Sequence, residues 1–269
     1  MWEKISLRQL LDEGKLVSGF EVMSYSPVLV EMVGYSGFDF VFIDTEHVPI
    51  GSDINLVHLI RAAEASKTLP IVRVKENTEP YIRPALEAGA QAIIVPHIKT
   101  KTDAEKAVKY SHYPPKGRRG TSSCVRSARY QCGDFNFEGF IQKSNEDPFI
   151  IALFEDKEFV ANMEEIAQVD GIDSYCFGPL DFAMSMGINF QNEPRHPDIQ
   201  SAFEAVLDTA NQKKIPVLSA VIPPTAERSK ELQEMGIKFQ LFGTDLDIIS
   251  AAFNDLAKNV VQKAQAYSI

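Results

Sequence analysis

The sequence lacks the features that mark membrane, secreted and disulfide-rich proteins. Its 269 residues contain no apolar run of the roughly eighteen residues that a membrane-spanning helix needs. The opening segment MWEKISLRQLLDEGK is charged throughout and has no apolar core, so we expect no secretion signal and a cytoplasmic protein. Its few cysteines (Cys124, Cys132 and Cys176) form no CxxC pair, which is typical of reduced thiols. Cys124 and Cys132 alone are weak grounds for a metal site.

Positive charge is also in short supply. The chain has 27 Lys and Arg against 37 Asp and Glu, and the net charge of −10 argues against nucleic acid as the main partner. The segment after the first apolar run, GFEVMSYSP, contains no GxGxxG phosphate loop. We therefore expect small molecules as partners, with no nucleic acid and no membrane.

Eight short apolar segments are present, and each is followed by a helical pattern. With 45% hydrophobic residues the chain can form a substantial core, and we see no repeat or linker. This alternation over about 250 residues predicts one (β/α)8 barrel domain over residues 1–269. An open doubly wound sheet is the alternative fold, but it would require a glycine-rich phosphate loop after the first strand, and the sequence has none there. The predicted strands are Leu16–Val22, Phe38–Ile43, Leu69–Val74, Ala92–Pro96, Phe149–Phe154, Ser174–Phe177, Ile215–Ala220 and Lys238–Phe242.

The helices follow from apolar positions at three- and four-residue steps. Two stretches break the pattern. Residues 111–147 form a long polar excursion that is either functional or contains small helices of its own, and residues 187–197 form a second. The predicted helices are Ile5–Leu11, Pro27–Gly34, Leu56–Ala65 with Ser52 or Asp53 as N-cap, Pro80–Ala88, Thr102–Tyr110, Lys157–Val169, Asp198–Gln212, Thr225–Met235 and Leu246–Ala264.

Two carboxylates stand out within residues 149–187. The fifth strand ends directly before Glu155, and the sixth is followed by Gly178, Pro179, Leu180 and Asp181. The two strands flank a helix and are therefore parallel, so their carboxyl ends meet at one rim. Glu155 and Asp181 at this rim could hold a hard metal ion or perform acid–base chemistry.

The other strand ends add polar side chains to the same rim. The second strand is followed by Asp44, Glu46 and His47, and Arg73 closes the third. Two carboxylates suit Mg²⁺ or Mn²⁺, with Co²⁺ as a further candidate, whereas zinc would want more nitrogen or sulfur.

These residue types suggest a division of labour. A metal ion with open positions could chelate a 2-oxo acid and stabilise an enolate, while Arg73 could hold an oxyanion. His47 could move protons, with Asp44 orienting its ring, and helix N-terminal amides after Gly178 and Pro179 could bind a carboxylate. Each residue alone is more often a helix cap or an ion-pair partner, but together they favour an active site. We regard His58, His112 and His196 as ordinary surface or loop residues.

At these residues the chain resembles the HpcH/HpaI family of metal-dependent class II pyruvate aldolases. The resemblance covers nearly the whole chain. It implies a (β/α)8 barrel whose last helix is exchanged between neighbours, usually in a hexamer or trimer of dimers. It is carried by FDFVFIDTEHVP, PIVRVKENTEPYIRPALEAGAQAIIVPHIKT, HYPPKGRRG, IALFEDKEFVANMEEI and FGPLDFAMSMG.

The same resemblance implies roles for individual residues. Glu155 and Asp181 would bind the metal, Arg73 would stabilise the pyruvate enolate, and His47 paired with Asp44 would act as acid and base. Substrate contacts are implied for Arg73 and for Gly178, Pro179, Leu180 and Leu218. The chain departs from the family at Leu153, where the family has glutamine, and at Leu180, where it has alanine.

We therefore expect a lyase that cleaves a 4-hydroxy-2-oxo acid to pyruvate and an aldehyde. One alternative is another enolate-type lyase that cleaves an acyl-CoA ester or decarboxylates its substrate. It would want a basic patch, for which Lys116, Arg118 and Arg119 are the candidates. A second alternative is a barrel that binds a metal or 2-oxo acid and has lost turnover through Leu153 and Leu180.

Overall fold

Eight parallel strands close into a barrel in chain order, with every strand paired to its sequence neighbours and β8 paired to β1. The computed structural model of the chain describes residues 6–49, 53–189 and 196–267. This architecture confirms the (β/α)8 prediction and excludes the open sheet. The strands are β1 Val17–Val22, β2 Phe40–Asp44, β3 Leu69–Arg73, β4 Ala92–Val95, β5 Phe149–Phe154, β6 Ser174–Phe177, β7 Val217–Ala220 and β8 Phe239–Thr244.

Helices surround the barrel, and most begin and end within two residues of the predicted positions. The described helices are α1 Leu7–Asp12, α2 Pro27–Tyr35, α3 Ile54–Ala65, α4 Glu79–Ala88, α5 Lys101–Ser111, α6 Phe137–Glu146, α7 Lys157–Ala161, α8 Met163–Ile166, α9 Pro179–Ser185, α10 Pro197–Lys213, α11 Ala226–Glu234, α12 Asp245–Leu256 and α13 Gln262–Ala266, with a π-helical turn, Ala257–Val261, before α13. No helix in these ranges is long and apolar enough to cross a membrane.

The prediction of one continuous helix over Lys157–Val169 was wrong. Asn162 interrupts it with φ −107° and ψ 9°, and the chain forms α7 and α8 on either side. The side-chain amide of Asn162 donates to the carbonyl of Lys99 at 2.9 Å. This contact outside the helix competes with the helical backbone, which is a known property of asparagine.

The long excursion over residues 111–147 is packed structure. It contains α6 and a short 3₁₀ segment, Arg126–Gln131, as the loop length suggested. Arg126 donates to the carbonyl of Ala88 at 2.7 Å and pairs with Glu64.

Of the two predicted caps of α3, Asp53 accepts from the backbone of Asn55 at 2.8 Å, whereas Ser52 lies outside the described residues. Most of the second excursion, residues 190–195, lies outside them too.

Alternate residues of each strand belong to two separate apolar cores. Phe40 and Phe42 pack with residues of the other strands inside the barrel, whereas Val41 and Ile43 pack against the helices outside. The interior is tight, because a β-carbon on Gly19 would lie 2.1 Å from the ring of Phe40. Both faces of every strand are thus apolar, which explains the unbroken apolar runs in the sequence.

The alternation continues to the carboxyl ends of the strands and decides which polar side chains face inward. Asp44 follows the interior positions of β2, Arg73 follows Ile71 of β3, and Glu155 follows Leu153 of β5. Side chains two residues apart on a strand share a face. Charged groups therefore replace apolar ones at the barrel mouth, where active sites of such barrels lie.

Candidate active site

Arg73 lies among three carboxylates at the barrel mouth. Its Nε donates to Oδ1 of Asp44 at 2.7 Å and lies 3.3 Å from Oε2 of Glu46. One terminal nitrogen lies 3.5 Å from Oε1 of Glu21, at the end of β1. Asp44 is fully buried and also accepts the backbone N–H groups of Glu46 and His47, at 3.0 and 3.1 Å. The guanidinium is therefore held in place before any ligand arrives.

The charges in this cluster shift proton affinities. Burial works against the charged guanidinium, but the hydrogen bond and charge of Asp44, with the charges of Glu21 and Glu46, raise the pKa of Arg73 overall. Burial raises the pKa of Glu21 to about 7, although the charge of Arg73 opposes this. Arg73 thus stays cationic, while Glu21 can change its charge near neutral pH.

A second group at the mouth joins Glu155 to Glu46 through His97. Oε1 of Glu155 lies 3.1 Å from Nδ1 of His97 and accepts the His97 backbone N–H at 2.8 Å. The other ring nitrogen, Nε2, lies 3.3 Å from Oε1 of Glu46. Hydrogen bonds to Glu155 and then to Glu46 raise the pKa of His97 to about 10, so without a metal ion the ring is protonated.

His47 is half-exposed at the rim. Its Nε2 lies 3.8 Å from Oε2 of Glu46. Asp44, the expected partner of its ring, contacts His47 through the backbone N–H instead. The carboxylate that faces the imidazole of His47 is therefore Glu46, and Asp44 is engaged by Arg73.

The segment after β6 borders Glu155. A β-carbon on Gly178 would lie 3.1 Å from that of Glu155, a tight contact, so glycine suits this close approach of the two segments. Pro179 begins α9, Leu180 is exposed, and Asp181 is exposed in the first turn of the helix. Asp181 is not part of the cluster that Glu46, His97 and Glu155 form, in which one ligand atom of each lies within 4.8 Å of the others.

Leu153 and Leu218, the two strand leucines named in the sequence analysis, lie below the mouth of the barrel. Leu153 and Leu218 are buried in the interior core, together with Cys176. Burial raises the pKa of the Cys176 thiol to about 12, so it stays protonated and apolar in character. The side chain of Leu218 belongs to the floor of the mouth. Its predicted contact with substrate stays a prediction.

The match to a family model decides the family. The model of "HpcH/HpaI aldolase/citrate lyase" matches residues 18–252 of the chain. The chain belongs to this family. It is 32% identical over 238 residues to a 2-dehydro-3,6-dideoxy-6-sulfogluconate aldolase of Pseudomonas putida, covering 88% of this chain and 90% of the relative. It is 30% identical over 233 residues to a 5-keto-4-deoxy-D-glucarate aldolase of Escherichia coli, covering 86% of this chain and 87% of the relative.

The crystal structure of citrate synthase SbnG is also similar. The two sequences are 32% identical, and the structures superpose with a TM-score of 0.84. The match covers 97% of this HpcH/HpaI chain and 99% of the citrate synthase chain. The family model and the aldolase relatives confirm the family resemblance and show that the chain is a metal-dependent carbon–carbon lyase of the aldolase type.

Sequence reasoning missed two residues of this HpcH/HpaI site. His97 comes two residues after the last residue of β4, and Glu21 lies at an interior position near the end of β1. Glu21 could have been found by carrying the alternation of β1 to its end, whereas the alternation of β4 places Pro96 rather than His97 on the interior face. The backbone at His97 is left-handed, with φ 57°, and the sequence contains no clear signal of this conformation.

The donor groups at the mouth fit a divalent cation. Glu46, His97 and Glu155 offer two carboxylates and an imidazole. Oε2 of Glu46 is buried and accepts no hydrogen bond in the described part of the chain, although Arg73 lies 3.3 Å away. Carboxylates at a site that is open to small ligands are what Mg²⁺ and Mn²⁺ use.

Proposed function

We propose that the protein cleaves a 4-hydroxy-2-oxo acid reversibly to pyruvate and an aldehyde, with a divalent ion as cofactor. The observation that carries this is the geometry around Arg73, a nearly buried cation that Asp44 and Glu46 hold at the barrel mouth. The aldolase relatives, at 30–32% identity over most of the chain, favour this chemistry.

In this proposal the chain's residues divide the work. His47 removes the proton of the 4-hydroxyl group, the C3–C4 bond breaks, the aldehyde leaves, and a proton returned to C3 gives pyruvate. Arg73 donates its remaining N–H groups to the oxygen on which negative charge develops. The backbone N–H groups of Leu180 and Asp181, in the first turn of α9 after Gly178 and Pro179, bind the carboxylate.

Glu155 and Asp181 hold the ion in this proposal, as Mg²⁺, Mn²⁺ or Co²⁺. The bound ion supplies a Lewis acid that stabilises the enolate charge. Glu155 is buried and fixed by its hydrogen bond from His97, whereas Asp181 is exposed and can turn toward a ligand. This pairing of a fixed and a free carboxylate leaves space for substrate oxygens.

A second candidate is a lyase or synthase that acts on an acyl-CoA ester, and the likeness to citrate synthase SbnG favours it. The basic residues expected for CoA are engaged within the chain, however. Arg119 is buried against the ring of Tyr113 at 4.6 Å, Arg118 lies over Tyr110, and Lys116 donates to the carbonyl of Asn145 at 3.1 Å. We therefore favour the aldolase.

Proton exchange tests the enolate chemistry without knowledge of the aldehyde. Protein stripped with EDTA and reloaded with Mn²⁺ is incubated with pyruvate in D₂O, and the methyl signal is followed by NMR. We expect exchange that stops in EDTA and falls at least about a hundredfold in Glu155→Gln. Glu158→Gln, an exposed glutamate of α7, is the control and should exchange as the wild type does.

Exchange that continues undiminished without metal would contradict the proposal. Silence with all three metals would favour a barrel that has lost turnover. Competition by acetyl-CoA, with no cleavage of 4-hydroxy-2-oxo acids, would favour the second candidate.

We also propose that the chain forms homo-oligomers, a hexamer or trimer of dimers, through its last helix. α12 and the turns after it expose large apolar side chains to solvent, which is unusual for a surface without a partner. They are Leu246, Ile248, Phe253, Leu256, Val260 and Val261. Light scattering of the wild type, and of Phe253→Asp with Val260→Asp, measures the contribution of this helix.

A further inference from the structure

His97 reaches the metal-binding carboxylates through an unusual stretch of backbone. It lies directly after Pro96, with φ 57°, and the left-handed region is uncommon for residues other than glycine. This conformation brings both the backbone N–H and the ring of His97 to Glu155. The imidazole is therefore aimed at the mouth of the barrel rather than along the strand.

The ring bridges two acidic side chains that are themselves almost buried. The side chains of Glu46 and Glu155 are 8% and 5% exposed, whereas that of His97 is 61% exposed. One carboxylate oxygen faces each ring nitrogen, at 3.1 and 3.3 Å. The protonated ring donates one N–H to each of these oxygens, and an ion bound to one ring nitrogen would take the place of the proton there.

The three donors are close enough to share one ion. Ligand atoms of Glu46, His97 and Glu155 lie within 4.8 Å of one another. Two ligands on opposite sides of an ion are about 4.2 Å apart, because each metal–ligand bond is about 2.1 Å long. The His97 side chain, 61% exposed, has room to turn toward a shared ion. The Glu46 oxygen that faces His97 is Oε1, whereas Oε2 faces Arg73.

We propose that His97 is a nitrogen ligand of the divalent ion, with Glu155 and Glu46 as oxygen ligands. This rests on the proposed function, in which Glu155 and Asp181 hold the ion, and adds two ligands, His97 and Glu46. An imidazole favours later transition metals over Mg²⁺, since affinity at such sites rises from Mn²⁺ through Co²⁺. The site therefore prefers Co²⁺ to Mg²⁺ more strongly than a site made of carboxylates alone.

Nitrogen coordination is measured directly by electron spin echo spectroscopy of the Mn²⁺-loaded protein, without substrate or turnover. We expect a ¹⁴N coupling in the wild type that changes to ¹⁵N coupling when histidine is ¹⁵N-labelled. The coupling disappears in His97→Gln and persists in His47→Gln, the other histidine at the mouth. His58→Gln, on the exposed face of α3, is the matched control and keeps it.

Metal affinity gives a second readout. Calorimetric titration should show a loss of at least tenfold in Co²⁺ affinity for His97→Gln, with Mg²⁺ affinity changed by less than threefold. Equal losses for both ions, or a coupling that depends on His47 instead, overturn the assignment of His97. Mn²⁺ binding without any ¹⁴N coupling also overturns it but leaves the proposed function intact. Absence of metal binding to the wild type overturns both.

Should His97→Gln fail to fold, the labelled wild type and His47→Gln decide the question alone. Histidine coupling that survives in His47→Gln supports His97, since the other described histidines, His58, His112 and His196, lie on helices or loops outside the cluster. Coupling lost in His47→Gln contradicts it.

Discussion

The barrel mouth has two halves that are built differently. In the Arg73 half, the guanidinium is 12% exposed and its partner Asp44 is completely buried, so the contacts exist before any ligand binds. In the His97 half, the imidazole is 61% exposed and bridges two nearly buried carboxylates. In the proposed function, the first half is a fixed receptor for charge on the substrate and the second half rearranges around an ion.

Glu46 belongs to both halves. One of its oxygens lies 3.3 Å from Arg73, and the other lies 3.3 Å from His97. Because the carboxylate is nearly buried, each oxygen has a fixed direction. The comparison therefore predicts that substitutions in the Arg73 half change stability, whereas those on the His97 side change ligand binding.

The largest effect is expected from Arg73→Met, which leaves Asp44 as a buried charge without its cation. Breaking a buried pair in this way costs about 3–5 kcal/mol of unfolding free energy. The matched control is Arg83→Met, which breaks the pairs of Arg83 with Glu79 and Glu87 on the surface of α4. An exposed pair contributes less than about 1 kcal/mol. Urea unfolding that gives equal losses for the two variants would show that the Arg73 half is not a buried network.

A smaller effect is expected in the pH dependence of the unfolding free energy, through Glu21 of the Arg73 half. Burial raises the pKa of Glu21 from 4.5 to about 7, so the folded protein holds this proton more tightly than the unfolded chain. The resulting stabilisation is complete below pH 4.5 and is lost as the pH rises through about 7. The loss amounts to between about 1 and 3 kcal/mol.

In Glu21→Gln this loss should be absent, because the amide does not titrate. Thermal or urea unfolding measured between pH 5 and 8 compares it with the wild type. Glu13→Gln, on the exposed surface after α1, is the control and should follow the wild-type profile. A wild-type profile that is flat, or that rises over this interval, would contradict the raised pKa.

The smallest effect on stability is expected at Leu180, beside Glu155. Its side chain is 54% exposed, so Leu180→Ala should change the unfolding free energy by less than about 0.5 kcal/mol. The same change widens the mouth and should alter the ratio of kcat/KM for large and small aldehydes by about tenfold. Met32→Ala, exposed in the middle of α2, should change neither. An unchanged ratio would place Leu180 outside the aldehyde pocket.

The fold could be predicted from the sequence because each strand is an apolar run, and such runs have few alternatives when helices alternate with them. Strand ends also revealed Asp44, Arg73 and Glu155, since interior positions recur every second residue. His97 was missed because its direction depends on a left-handed backbone after Pro96, a property of local geometry. The ring partner of His47 was missed for a similar reason. Arg73 competes for Asp44, and contacts across strands cannot be read from spacing alone.

The apolar core inside the barrel has a consequence for the order of events. Leu153, Cys176 and Leu218 close the interior directly beneath the charged residues, so the mouth has a floor. Both products of a cleavage reaction must then depart through one opening. In the proposed arrangement the 2-oxo acid lies deepest, against Arg73, and the aldehyde lies above it. The aldehyde therefore leaves first and the 2-oxo acid last. Product inhibition patterns should show this ordered release.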